Sequence, residues 1–199
     1  MANENKVKFG LRNVHIFPIE EESDTEITYG KVIKLPGAVN LSLSIEGDEN
    51  TFYADDIPYY STFSNNGYSG DLEIAKITDE FIVGILGQQK DENGAIIESI
   101  NDKIKPFAMA FEFQGDVKAT RNILYKVTAS RPSAEHSTIG ETREPQTDTL
   151  SIKAIARSSD GRIKARLYEG QTGYETFYEN VYEGKITSKP SGESTGTQE

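Results

Sequence analysis

Two histidines, His15 and His136, and no cysteine set the limits of the chemistry open to this 199-residue chain. His136 stands beside Glu135 and between Ser133 and Ser137, which supplies the residue types of a nucleophile, a base and an orienting acid. Neighbours in one loop cannot hold the geometry that such a triad needs, so this cluster reads as an ordinary solvated loop. His15 alternates with Val14 and Ile16 and reads as a surface or interface histidine on a strand. Without cysteine there is no disulfide, thiolate metal site or cysteine nucleophile, and two imidazoles cannot make a three-histidine zinc site within one chain. Carboxylate pairs recur at Glu20-Glu21-Glu22, Asp48-Glu49, Asp55-Asp56 and Asp91-Glu92, as expected by accident in an acidic chain, and none marks a glycosidase. Asp91-Glu92-Asn93-Gly94 lacks the alternating oxygens and distal glutamate of a calcium loop and reads as a turn. No glycine-rich phosphate loop or dinucleotide fingerprint occurs. The chain is therefore expected to be no enzyme and to carry no cofactor and no metal.

Charge is unevenly placed. Residues 1–100 hold 7 Lys+Arg against 18 Asp+Glu, which accounts for the whole net charge of −11, while the remainder holds 14 of each. A phosphate backbone is repelled by such a first half, which argues against binding nucleic acid by counterion release. No run of 18 to 20 apolar residues occurs, and the N-terminus lacks the apolar core of a signal peptide, so a soluble protein made in the cytoplasm is expected.

The elements that would position any site are mostly strands. Residues 38–46 alternate with period two, Val39, Leu41, Leu43 and Ile45 on one face against Asn40, Ser42, Ser44 and Glu46 on the other. The turn cluster Gly47-Asp48-Glu49-Asn50 then predicts a hairpin with a returning strand at residues 51–54. Further strands are expected at 14–17, 31–35, 72–77, 107–113, 122–130, 150–157 and 162–168, with Asp160-Gly161 as a type I′ turn between the last two. One helix is expected at 79–86, with Thr78 as N-cap, Asp79 and Glu80 in its first turn, Ile77 and Ile82 as a hydrophobic staple, and Gly87 closing it. The fold class that follows is mainly β, a two-sheet sandwich or partly closed barrel with one flanking helix.

Long loops are expected at 55–70, 88–104 and 131–145, and residues 188–199, without a large apolar side chain, are expected to be disordered. The first loop carries Tyr59, Tyr60, Phe63 and Tyr68. Aromatics on a polar loop supply contact area and anchor interfaces, so these four are candidate partner contacts.

Seven strings in order resemble the major tail proteins, or tail-tube proteins, of long-tailed, non-contractile phages and prophages of Gram-positive bacteria. They are Lys8-Phe9-Gly10-Leu11-Arg12-Asn13-Val14, Ile27-Thr28-Tyr29-Gly30, Lys34-Leu35-Pro36-Gly37-Ala38, Thr51-Phe52-Tyr53-Ala54-Asp55-Asp56-Ile57-Pro58-Tyr59, Ile85-Leu86-Gly87, Pro106-Phe107-Ala108-Met109-Ala110-Phe111-Glu112 and Thr147-Asp148-Thr149-Leu150. The resemblance weakens after about Gly170, which sets a tail-tube domain at 1–170 and a C-terminal arm at 171–199. It implies a β-sandwich subunit forming hexameric rings that stack into a tube for genome ejection, with no catalysis. It also implies synthesis and assembly in the host cytoplasm and a place in the virion tail. The implied partners are further copies of the chain, tape-measure, tail-terminator and distal tail proteins, and DNA passing without specific binding. Two other readings stand beside it: a carbohydrate- or receptor-binding sandwich that uses the tyrosines as stacking platforms, and a small hydrolase with a carboxylate pair.

A channel for DNA must be polar and must not bind phosphate. Asn40, Ser42, Ser44 and Glu46, together with Asp71 and Glu73, are small, polar or acidic and contain no base, so these two strands are expected to face the lumen. The basic face of Arg162, Lys164 and Arg166 is expected to point away from it.

Overall fold

The computed structural model describes residues 5–134, 138 and 145–185. His136, the Glu135 to Ser137 cluster and the 188–199 tail lie outside these residues, as does much of the 131–145 connection.

Fourteen strands and one helix occur among the described residues. In chain order they are β1 (Lys8–Glu22), β2 (Ile27–Tyr29), β3 (Ile33–Lys34), β4 (Ala38–Glu46), β5 (Glu49–Ala54), β6 (Ile57–Phe63), β7 (Gly67–Ile74), α1 (Asp79–Gly84), β8 (Gln89–Lys90), β9 (Ile96–Ile97), β10 (Phe107–Gly115), β11 (Thr120–Ala129), β12 (Ser133–Ala134), β13 (Asp148–Ile155) and β14 (Lys164–Tyr168). Ten strands form one antiparallel sheet whose main path is β2-β1-β10-β11-β13-β7-β4. β3 pairs with β1, and β4, just beyond Pro36-Gly37, pairs with β7 at the far end of that path. The sheet thus rolls over a core without closing, and the mainly β, sandwich-like class expected from the sequence is the class found.

Pleating explains the two cores. On β10, Phe107, Met109 and Phe111 enter a first core with Leu72, Ile74, Leu150 and Ile152, while Ala108 and Ala110 enter a second on the opposite side of the sheet. β11 carries an extra residue between Leu124 and Val127, opposite Met109 and Phe107. That bulge resets the alternation, so Leu124 and Val127 both face the first core while Ile123 and Tyr125 face the second.

The helix plugs the first core. Thr78 accepts a hydrogen bond from the Phe81 N–H, acidic residues occupy the first turn, and Gly87 follows with φ 78°. Phe81, Ile85 and Leu86 are buried. The N-cap and the apolar face stand as expected, and α1 itself ends at Gly84, earlier than the expected span.

Besides the expected 88–104 loop, which holds the short β8–β9 hairpin, three sequence expectations fail. The strand at 38–46 is present, but it pairs with β7 rather than with 51–54. Period two in β4 defines a wet and a dry side but does not select a partner; β7, with Leu72 and Ile74 pointing inward, continues the core. Within β4, a bulge between Ala38 and Asn40 throws Val39 out to 54% exposure, and Ile45 at the other end is 79% exposed, so Leu41 and Leu43 alone carry the dry face. The second failure is the loop at 55–70, which is strand β6 and the start of β7. Asp55 and Asp56 take φ of 51° and 60°, both in the left-handed region, and make the two-residue turn between β5 and β6. The third is Asp160-Gly161, where only Gly161 has positive φ and the flanking strands do not pair with each other: β14 pairs with β11.

The C-terminal arm over residues 171–185 lies on the second core. Tyr174 and Phe177 are buried there, with Tyr178, Val181 and Tyr182 packed alongside.

Candidate functional site

Two surfaces stand out. The first is the β5–β6 hairpin, which prolongs the β4–β7 hairpin beyond the sheet. Reciprocal contacts of Asp48 with Ser64 and a bond from the Asn66 N–H to the Glu46 carbonyl join the two. At the exit, Gly67 has φ 105°, and a Cβ there would sit 2.0 Å from the Ala154 carbonyl oxygen, so the bend requires glycine.

Within the hairpin Phe52 pairs with Tyr60 on one face, while Tyr53 and Phe63 point to the other, and Tyr59 is the extra residue of a bulge. Every residue of β6 is exposed, with Tyr59 at 73% and Phe63 at 74%. Neither face is covered by the rest of the subunit. An isolated two-stranded ribbon is marginally stable in water, and one that displays Phe52, Tyr53, Ile57, Tyr59, Tyr60 and Phe63 has an unmet demand for burial. Three of the four aromatics singled out in the sequence are thus together. Tyr68 is not with them: it sits on β7, packs on the first core and carries the Lys164 ammonium 5.5 Å above its ring.

The second surface is a polar sheet face. The register pairs Asn40 with Glu73, Ser42 with Asp71, and Ser44 with Ser69, so all six residues expected to face a lumen share one side of the sheet. β13 extends these rows with Thr149, Ser151 and Lys153. Ser151 donates to Asp71 at 2.7 Å, Thr147 to Glu73 at 2.7 Å, and Ser69 to Glu46. The hydroxyl ladder holds the acids in place. Lys153 is a base that the sequence reading missed on this face, because it comes from a strand about eighty residues away in the chain. Lys164 and Arg166 lie on the other side: Lys164 pairs with Leu124, which faces the first core.

Two charge networks support the arm. Glu112, 1% exposed, accepts from Arg12 at 2.6 Å and Arg121 at 2.9 Å, and Tyr178 donates to it at 3.4 Å. Arg121 lies 3.8 Å from the centre of the Tyr174 ring and 4.6 Å from that of Tyr178. Burial pushes the Glu112 carboxyl up, but hydrogen bonds from Arg121 and Arg12 outweigh it and hold its pKa below the ordinary value. His15, expected at a surface, stacks on Tyr178 with ring centres 4.3 Å apart, and burial pushes its pKa down.

On the far side, Arg157 forks onto Asp160 at 2.7 Å and onto Glu183, and covers the Tyr125 ring. The Arg157 hydrogen bond holds the Asp160 pKa down to about 2. A carboxylate depressed on folding stabilises above its unfolded pKa, and that contribution is lost as pH falls from about 4 toward 2. Asp160→Asn is therefore expected to lower stability at pH 6, with the gap to the parent closing by about pH 2. Urea midpoints measured across that range check it; a gap independent of pH would refute it.

No group of three metal-ligating side chains that could hold an ion occurs among the described residues. No family model matches the chain, and no curated protein matches its sequence. Among solved structures, a chain of the anti-feeding prophage cap, described as its tube terminating cap, is 8% identical over 84% of this chain and 97% of its own, with a TM-score of 0.45. A chain of the sixfold-symmetrised anti-feeding prophage baseplate is 9% identical over 82% and 97%, with a TM-score of 0.44. A chain of the PVC sheath/tube terminator, from an extracellular contractile injection system, is 8% identical over 78% and 93%, with a TM-score of 0.38. Likeness at this level does not assign the chain to those assemblies.

Proposed function

We propose that this chain is a non-catalytic structural subunit of a phage-type tail tube, which self-assembles into stacked hexameric rings around a channel for DNA. The observation that carries the reading is the β5–β6 hairpin, whose aromatics are uncovered on both faces, while β7 and β13 behind it bury Leu72, Ile74, Leu150 and Ile152 in the first core. A subunit whose neighbours bury that hairpin is a complete structure; an isolated monomer is not. The ordered resemblance to tail-tube proteins supports the same reading, and the tape-measure, terminator and distal tail proteins are the further partners it implies. Size-exclusion chromatography with electron microscopy at high concentration tests it: rings or tubes are expected, and a strict monomer that binds glycans would replace it with a carbohydrate-binding sandwich.

In this reading the face of Asn40, Ser42, Ser44, Glu46, Asp71 and Glu73 lines the channel. Its carboxylates Glu46, Asp71 and Glu73 outnumber the one described ammonium, Lys153, and repel phosphate weakly within a Debye length of roughly 8 Å at physiological salt. Lysine contacts would instead be multiplied along the tube and would retard sliding. Ser42→Lys with Glu73→Lys is expected to permit tube formation and to slow genome ejection. Ejection at the parental rate from such tubes would remove these residues from the lumen.

A further inference from the structure

Five cations stand together at one end of the molecule and outnumber the described acids beside them. Lys6, Lys8, Lys118 and Arg166 line a groove of about 700 Å³ between the 5–8 segment and the end of β14, and Lys164 lies on the same strand as Arg166. None of them forms a salt bridge with a described carboxylate, whereas Arg12, Arg121, Lys126, Arg131, Arg157 and Arg162 all do. Burial above all pushes the Lys164 pKa down, and the charges of Arg166 and Lys8 add to it. Glu169 is the one acid lining the groove and accepts from the Ala119 N–H, and Asp116 beside it accepts from the Lys6 N–H. In a chain of net charge −11, five cations against these two acids leave this end positive.

The counter-charge lies at the opposite end. The β1–β2 tip carries Glu20, Glu21, Asp24 and Glu26, all exposed and without a described cation at salt-bridge distance. β1 begins at Lys8, beside the groove, and ends at Glu22, within the tip. Fifteen residues of strand span on the order of 45 Å, so the tip cannot reach the groove of its own subunit. Complementary patches at opposite ends of one strand can meet in a closed antiparallel pair or head to tail, and the heterologous, head-to-tail contact is the one that generates a ring or a filament.

We propose that the groove of Lys6, Lys8, Lys118 and Arg166 receives the acidic β1–β2 tip of a second copy of this chain. The groove suits a polypeptide rather than a small anion, because it runs beside β14, which is paired on one side only, with β11. The proposal rests on the reading of the chain as a self-assembling subunit and adds a second contact, electrostatic and distinct from the aromatic hairpin.

The absence of cysteine makes the test clean. In the full chain carrying Lys8→Cys and Glu21→Cys, the two thiols are too far apart to join within a subunit. Mild oxidation is expected to give a ladder of disulfide-linked oligomers, with the rate of linkage falling at least ~10-fold in 1 M salt, where the Debye length is about 3 Å. Charge reversal gives the second arm. Lys6→Glu/Lys8→Glu/Arg166→Glu and Glu20→Lys/Glu21→Lys/Asp24→Lys should each lose association alone and regain it when mixed. Circular dichroism confirms that each variant is folded. A ladder without tubes would support this contact and overturn the tube; tubes without a ladder and without rescue on mixing would overturn the contact alone. Tight binding of a labelled single-stranded DNA oligonucleotide, lost in the groove variant, with no ladder in the thiol variant, would overturn it in favour of a nucleic-acid groove.

Discussion

Tyr59→Ala, Tyr60→Ala and Phe63→Ala, alone or combined, are expected to leave the monomer as stable as the parent and to abolish its assembly. The three side chains lie outside both cores, and what they touch in their own subunit is within the hairpin, where Tyr60 pairs with Phe52. Truncating a buried aromatic anchor at an interface costs about 2–4 kcal/mol of association, and a tube repeats that loss at every subunit. Replacing the whole β5–β6 hairpin by a short turn joining β4 to β7 should act in the same direction, because the core rests on Leu41, Leu43, Leu72 and Ile74 and not on the hairpin. Thermal unfolding of the monomer and electron microscopy of concentrated samples check both halves. Tubes of normal stability from the triple variant would remove the hairpin from the assembly; a monomer that unfolds early would show that it belongs to the subunit's own core.

Glu112→Gln is expected to be the most damaging single polar substitution in the described structure. The side chain is 2% exposed and bridges Arg12 and Arg121, and Arg121 in turn holds Tyr174 and Tyr178. Removing the charge leaves Arg121 largely buried and uncompensated, while Arg12, 47% exposed, is rehydrated, so the cost falls toward the low end of about 3–5 kcal/mol. For a chain of this length that is a fall in melting temperature of roughly 6–20 °C. The Glu112 pKa lies below its unfolded value, so its contribution is complete above the unfolded pKa and lost as pH falls through the folded one. The difference between parent and variant should thus narrow in acid. A loss under about 1 kcal/mol at pH 7, measured by urea unfolding, would show that the arm is held by ring packing rather than by charge.

What could be read in the sequence was local. Thr78, Asp79, Glu80, Ile77 and Gly87 announce the helix because capping and the macrodipole act within a turn. β4, β10, β11, β13 and β14 were visible because alternation or β-branched content is written along the strand itself. Pairing was not visible: β1 meets β10 about a hundred residues away, and period two does not name a partner. The strand at 51–54 was expected, but β6 was mistaken for a loop because the turn before it is Asp55-Asp56, without the glycine that usually marks left-handed backbone. The wet faces of two strands were legible in their alternation, but that β4 and β7 lie side by side required the register. Glu112 was hidden in the apolar run from Phe107 to Phe113, its partners far away in the chain. The arm over 171–185 has neither strand alternation nor a cap, and the density of Tyr174, Phe177, Tyr178 and Tyr182 was the one signal that could have revealed it.

The second core also sets a timetable. Phe17, Ala108, Ala110, Ile123 and Tyr125 belong to strands that are all synthesised by residue 129, but their cover comes from Tyr174, Phe177 and Tyr182, and Tyr125 donates its hydroxyl proton to the carbonyl of Tyr182. At roughly 5–20 residues per second, the stretch from residue 155 to residue 183 takes a few seconds to emerge from a ribosome. During that interval the first core can close while an apolar stripe on the other side of the same sheet stays wet. A subunit in this half-finished state has two sticky surfaces, the hairpin and the bare stripe, and only the first is an interface in the proposed assembly. Laying the arm down last retires the wrong surface, so the chain becomes selective about its neighbours at the end of its own synthesis.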